Sequence, residues 1–225
     1  MKQGLIYFTI TLALGLGLST HAMLVSQWDF NNRDLAETTG TALAYRGDTA
    51  ATTSFTTATI GGQTAYVMRF PATTPSQGYI MTHGLGPNGG GSRVNQYTLI
   101  MDIMFPTASS GQWRSLFQTD PANVSDGDLF VNPGNGIGIS GEYAGVILAN
   151  TWQRVAFVVD LTAPTDKLRK FIDGVQVGTQ DSGYYLDGRW ALEPTALLFA
   201  DENNETRMGY VNSIQIRSEA MLAAD

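Results

Sequence analysis

Cysteine is absent from this 225-residue chain, and histidine occurs only at His21 and His83. Without cysteine there are no disulfide frameworks, thiolate zinc sites, iron–sulfur clusters or thiol nucleophiles. Two histidines leave no basis for a multi-histidine zinc centre. Charge is scarce as well: 15% of residues are charged, with 20 acids against 13 bases and a net charge of −7. That balance excludes sequence-independent nucleic-acid binding and gives no attraction to anionic membranes. What the chain does have is 43% apolar residues and 25 glycines. A chain of this length and apolar content can bury a core without metal or disulfide support.

The longest apolar run lies at the start. Met1–Lys2 supplies a positive end, Leu5 to Leu18 is apolar apart from Thr9, Thr11 and glycines, and Ser19-Thr20-His21-Ala22 follows. This is the three-part plan of a secretory signal peptide, residues 1–22, with cleavage expected after Ala22. The run is too short for a membrane-spanning helix, which needs about 20 residues. The expectation is a secreted, periplasmic or cell-surface protein, with no membrane span after cleavage and His83 as the sole remaining histidine.

Beyond Ala22 the pattern is period two. Val25–Phe30, Thr41–Tyr45, Thr64–Phe70, Gly78–Thr82, Gln96–Phe105 and Trp113–Thr119 read as strands, as do Asp128–Val131 and Gly136–Ser140. Trp152–Leu161, Leu168–Ile172, Val175–Thr179, Ala196–Ala200 and Tyr210–Arg217 complete the set. Their β-branched and aromatic residues are separated by Gly, Pro, Asn and Asp clusters. So many short strands predict an all-β protein, a two-sheet antiparallel sandwich or a barrel, in one domain over residues 23–220. Asp173-Gly174 between two such runs predicts a tight hairpin with both turn residues at positive φ, and with Phe171 facing Val175 and Val177. Helical spacing occurs only in 218–225, where Ser218 has the capping preference and the segment stops early.

Asn150-Thr-Trp-Gln-Arg-Val-Ala-Phe-Val-Val-Asp160 followed by Leu168-Arg-Lys-Phe-Ile-Asp-Gly-Val-Gln-Val177 resembles the laminin-G-like, concanavalin-A-like jelly-roll family. Val25–Phe30, Tyr97–Phe105 and Val211–Ile216 are similar to its opening, central and closing strands, so the resemblance spans nearly the whole chain after Ala22. It implies a jelly-roll sandwich and, for function, sugar-binding modules, adhesion modules or glycan-cleaving enzymes. Such modules often form the N-terminal part of a longer exported protein. The helical segment after the closing strand resembles a shortened version of the family's own.

Three constellations follow. Calcium prefers several hard oxygens from flexible loops, and two loops are rich in them: 120–135 and 201–205. By resemblance, Asp128 before Leu129-Phe130, with Asp126 as substitute, and Asp201 or Asn203 in the later loop are the expected ligands. A second cation site in relatives uses a closing-strand Asp, which Asn212 replaces here. For glycan, Tyr184, Tyr185, Trp190, Trp113 and Tyr143 offer rings beside polar loop residues; Tyr184, Tyr185 and Trp190 lie in an irregular stretch and lead the list. For catalysis, the acids form no paired pattern within a strand, Glu142 and Glu193 stand alone, and His83 is the one imidazole. The sequence therefore points to a monomeric, non-catalytic module binding extracellular glycan or a protein. The alternative is a small glycan-active enzyme, lyase or hydrolase.

Overall fold

Alternating apolar residues build strands whose inner faces meet. The computed structural model describes residues 22–181 and 183–221; the expected leader, apart from Ala22, and residues 222–225 lie outside the described residues. In chain order the strands are β1 (Leu24–Trp28), β2 (Ala44–Arg46), β3 (Ser54–Ile60), β4 (Gln63–Phe70) and β5 (Gly78–Thr82). Then come β6 (Gln96–Met104), β7 (Arg114–Gln118), β8 (Leu129–Val131), β9 (Ile137–Ile139) and β10 (Glu142–Ala144). The last are β11 (Gln153–Asp160), β12 (Leu168–Ile172), β13 (Val175–Gln180), β14 (Thr195–Leu198) and β15 (Gly209–Arg217).

They form two antiparallel sheets. The larger runs β13-β12-β11-β6-β15-β4-β3, with β1 added on β15; the smaller runs β10-β9-β8-β7-β14-β5-β2. The long strand β6 lies between β11 and β15, because its inward Tyr97, Leu99, Met101 and Ile103 are all buried. Phe70 of β4 stacks on Phe199 with centroids 3.7 Å apart and meets Phe105 edge-on at 5.9 Å. Such ring pairs add about 0.5–1.5 kcal/mol each beyond their burial.

The Asp173-Gly174 hairpin has φ of 50° and 78°, as its sequence requires. A register shift between Lys170 and Phe171 places Phe171 opposite Gln176, however, and Ile172 opposite Val175. Two strands were not visible in the apolar pattern, β3 and β10. Ser218–Met221 is not helical. It lies along the larger sheet, where Thr98 Oγ1 donates to the Glu219 carbonyl and Arg169 donates to that of Met221.

A buried polar link ties the sheets together. The Lys170 ammonium on β12 donates to the Glu142 carbonyl on β10 at 2.6 Å and to Gln180 Oε1 at 2.8 Å. Gln180 in turn donates to the Ile139 carbonyl. Burial pushes the Lys170 pKa down to about 8. Asn212 stands at the β15 irregularity between Val211 and Ser213, and its amide donates to the Tyr66 carbonyl of β4 at 2.8 Å. Asn212 thus serves as a strand-to-strand link.

Candidate functional site

Adjacent strands bring distant loops together. Because β7 pairs with both β8 and β14, the β7–β8 loop lies against the loop that leaves β14. That second loop begins at Phe199, whose φ of 52° turns the chain sharply, and Asn204 at φ 65° bends it again. A bulky residue in the left-handed region is uncommon; here the stacking on Phe70 holds it. The turn buries Asp201 completely. One Asp201 oxygen accepts the backbone N–H groups of Asn203 and Glu205 at 2.9 and 3.0 Å, and the other faces Gly127 N–H at 3.4 Å.

Asp126, Asp201 and Glu205 each place one carboxylate oxygen within 4.8 Å of the others. Oxygens ligating one Ca²⁺ at about 2.4 Å lie no more than about 4.8 Å apart. The spacing and the hard-oxygen donor set therefore fit that ion. Asn203 Nδ2 approaches Asp126 and donates to Glu202 at 2.8 Å. Burial, then the charges of Asp201 and Asp126, raise the pKa of both Glu202 and Glu205, with Arg207 partly opposing this at Glu205. Negative charge is thus concentrated in this cluster.

An aromatic wall stands beside it. Trp113 and Tyr143, both half-buried, meet edge-on at 5.4 Å, and Trp113 leans on buried Phe130 at 5.8 Å. Burial, then Glu205 and Asp126, push the Tyr143 hydroxyl up to about 12. The Ser115 N–H, two residues after Trp113, donates to the Glu205 carbonyl at 2.7 Å, which sets this wall beside the loop that carries the acids.

The other expected residues lie elsewhere or are already engaged. Asp128 is fully buried; its oxygens take the Thr119 N–H at 2.7 Å and the Arg189 guanidinium at 2.7 Å. Its substitute Asp126, two residues earlier, is the one that reaches the acidic cluster. Tyr184 and Trp190 are buried against each other with centroids 3.9 Å apart, so of the leading aromatic group only Tyr185 is exposed. Glu205 was missed; its signal is the Asp201-to-Glu205 spacing, which lets Asp201 fold the loop back on itself.

His83 is buried with both ring nitrogens occupied. Leu85 N–H donates to Nδ1 at 3.1 Å, which leaves the proton on Nε2 to donate to the Glu193 carbonyl. Burial lowers its pKa, so the ring is a neutral link beneath a cleft of about 300 Å³. The Glu193 carboxylate pairs with Arg93 at 2.7 Å. Glu142 stands exposed at the β10 edge.

Two antiparallel sheets joined in this order make the chain a jelly-roll sandwich. No family model matches it, and no curated protein does. Solved structures share the fold. It is similar to the receptor binding domain of botulinum neurotoxin mosaic serotype C/D, with a TM-score of 0.56 and 14% identity over 90% of this chain and 49% of that one. The botulinum neurotoxin type G receptor binding domain gives 0.53 and 11%, over 91% and 49%. The ligand binding domain of botulinum neurotoxin serotype D, in complex with N-acetylneuraminic acid, gives 0.54 and 13%, over 89% and 48%. The chain spans about half the length of these structures. Among the described residues no helix is long and apolar enough to cross a membrane.

Proposed function

We propose that this chain is an exported recognition module of the laminin-G-like type that binds extracellular glycan without cleaving it, at the cluster formed by Asp126, Asp201 and Glu205. The observation that carries this reading is the acidic cluster beside the Trp113–Tyr143 wall, joined to it where the Ser115 N–H, two residues after Trp113, donates to the Glu205 carbonyl. Calcium is the proposed cofactor: Asp126, Asp201 and Glu205 would hold it, and it would offset their charge and attract sugar hydroxyls. A ring beside it takes the apolar face of a pyranose. Two structural neighbours, a receptor binding domain and a ligand binding domain in complex with N-acetylneuraminic acid, support a binding role for this type of sandwich.

The geometry favours binding over hydrolysis. A glycosidase needs two carboxyl groups that both reach the scissile bond. Asp201 is fully buried and held by backbone N–H groups, and His83 has no free nitrogen. The test is a glycan array with calcium and with EDTA, together with reducing-end and unsaturated-uronate assays. Calcium-dependent binding without turnover is expected. Turnover lost in Glu205→Gln would establish the enzyme instead, and binding to protein but no glycan would move the module to adhesion.

A further inference from the structure

Strand β3 ends the larger sheet at β4's side, and its seven residues pair with β4 from Ser54–Arg69 to Ile60–Gln63 without a register shift. Among the described residues, no backbone hydrogen bond from another element closes its outer side. A strand at an edge presents unpaired N–H and C=O groups, and native sheets blunt such edges with shortness, bulges, proline or charge. The molecule's other edges follow that rule. The smaller sheet ends on β2 and β10, three residues each, and β13 carries the irregularity opposite Lys170.

The sequence Ser54-Phe-Thr-Thr-Ala-Thr-Ile60 has none of these devices: no charge, no proline, no glycine and no bulge. Thr56, Thr57 and Thr59 are exposed, and the strand is long enough to template a partner strand.

We propose that β3 is a homodimer interface, at which a second copy of this chain adds its own β3 antiparallel to form one continuous sheet across a two-fold axis at Thr57. In that register Thr57 faces Thr57 of the second copy, Thr56 faces Ala58, Phe55 faces Thr59 and Ser54 faces Ile60. Threonine pairs and aromatic–β-branched pairs stabilise neighbouring strands. A second copy fits better than a charged partner, because this edge offers no charge to recognise. It is also neutral in a chain of net charge −7, so the two paired strands themselves bring no carboxylates together. An interface of this kind is isologous and closes at two copies. The proposed dimer departs from the monomer expected from the sequence and is independent of the glycan reading.

Sedimentation velocity on the purified protein from about 1 to 200 µM tests it, since a micromolar affinity shows within that span. The wild type is expected to dimerise. Thr57→Lys and Thr57→Glu, each placing like charges opposite one another, weaken association about tenfold or more. Mixing the two variants restores the dimer, which a folding defect would not allow. Val175→Lys on the far edge leaves it unchanged. A wild type that stays monomeric throughout, Thr57 variants that associate like the wild type, or dissociation by Val175→Lys instead would each overturn the proposal.

Discussion

Replacing Arg189 with alanine removes the guanidinium that lies 2.7 Å from Asp128, a carboxylate with no solvent exposure. Stranding a buried charge costs about 3–5 kcal/mol. The lower end applies here, because the Arg189 side chain is 35% exposed and Asp128 keeps its bond from the Thr119 N–H. About 3 kcal/mol at neutral pH corresponds to a fall in Tm of about 6–12 °C for a domain of this size. The pH dependence tests the cause. Burial already raises the Asp128 pKa, with Arg189 the main opposing influence. Its charged form is therefore penalised in the fold, and that penalty is absent below the ordinary value of 3.8 and complete above the raised folded value. Losing Arg189 raises the folded pKa further and enlarges the penalty, so the variant's deficit is small in acid and grows as pH rises. Urea unfolding of the wild type, Arg189→Ala, Asp128→Asn and the double variant from acid to neutral pH measures it. A deficit below about 1 kcal/mol at pH 7, or one that does not shrink in acid, would refute the reasoning.

Asp201→Asn abolishes the heat of calcium binding in titration calorimetry of the EDTA-stripped protein, whereas Asp128→Asn retains it. Calcium affinity rises with pH as Glu202 and Glu205 lose their protons; without calcium, the same raised pKa values lower stability as pH climbs above the ordinary 4.5, and a melting series with and without the ion resolves the two trends. Gly138→Ala loses more than about 2 kcal/mol in urea unfolding, because φ is +154° and the new Cβ falls 2.2 Å from the Glu142 carbonyl oxygen. Lys170, whose pKa is depressed to about 8, penalises the fold below that value and releases the penalty toward 10.5; stability therefore rises from pH 7.5 to 9.5 in the wild type, and Lys170→Met flattens that rise.

The sandwich was legible wherever packing writes itself into alternation. Strands β6, β11 and β12 fall where Tyr97, Val155 and Leu168 begin an inward apolar series. Strand β3 was not legible, because its apolar Phe55 and Ala58 fall three apart among threonines and break the period of two, although its backbone pairs along its whole length. The site divides along a similar line. Acid-rich loops mark Asp126 and Asp201 as oxygen donors, but local composition does not say which acids meet. Asp128 N–H bonds the Phe117 carbonyl, so this residue already belongs to the ladder and its carboxylate turns inward to Arg189. Asp126, two positions earlier, lies outside the ladder and reaches the loop after β14. Glu205 joins them only because β7 lies beside β14, a pairing between segments some eighty residues apart in the chain. Irregular backbone proved equally uninformative about exposure: Tyr184 and Trp190 occupy a stretch without strands, yet their rings are buried in the core. Alternation reports burial along a strand, while a site assembled from loops depends on which strands are neighbours. That adjacency is a property of the sheet order, and it is what brings Asp126 to Asp201 and Glu205.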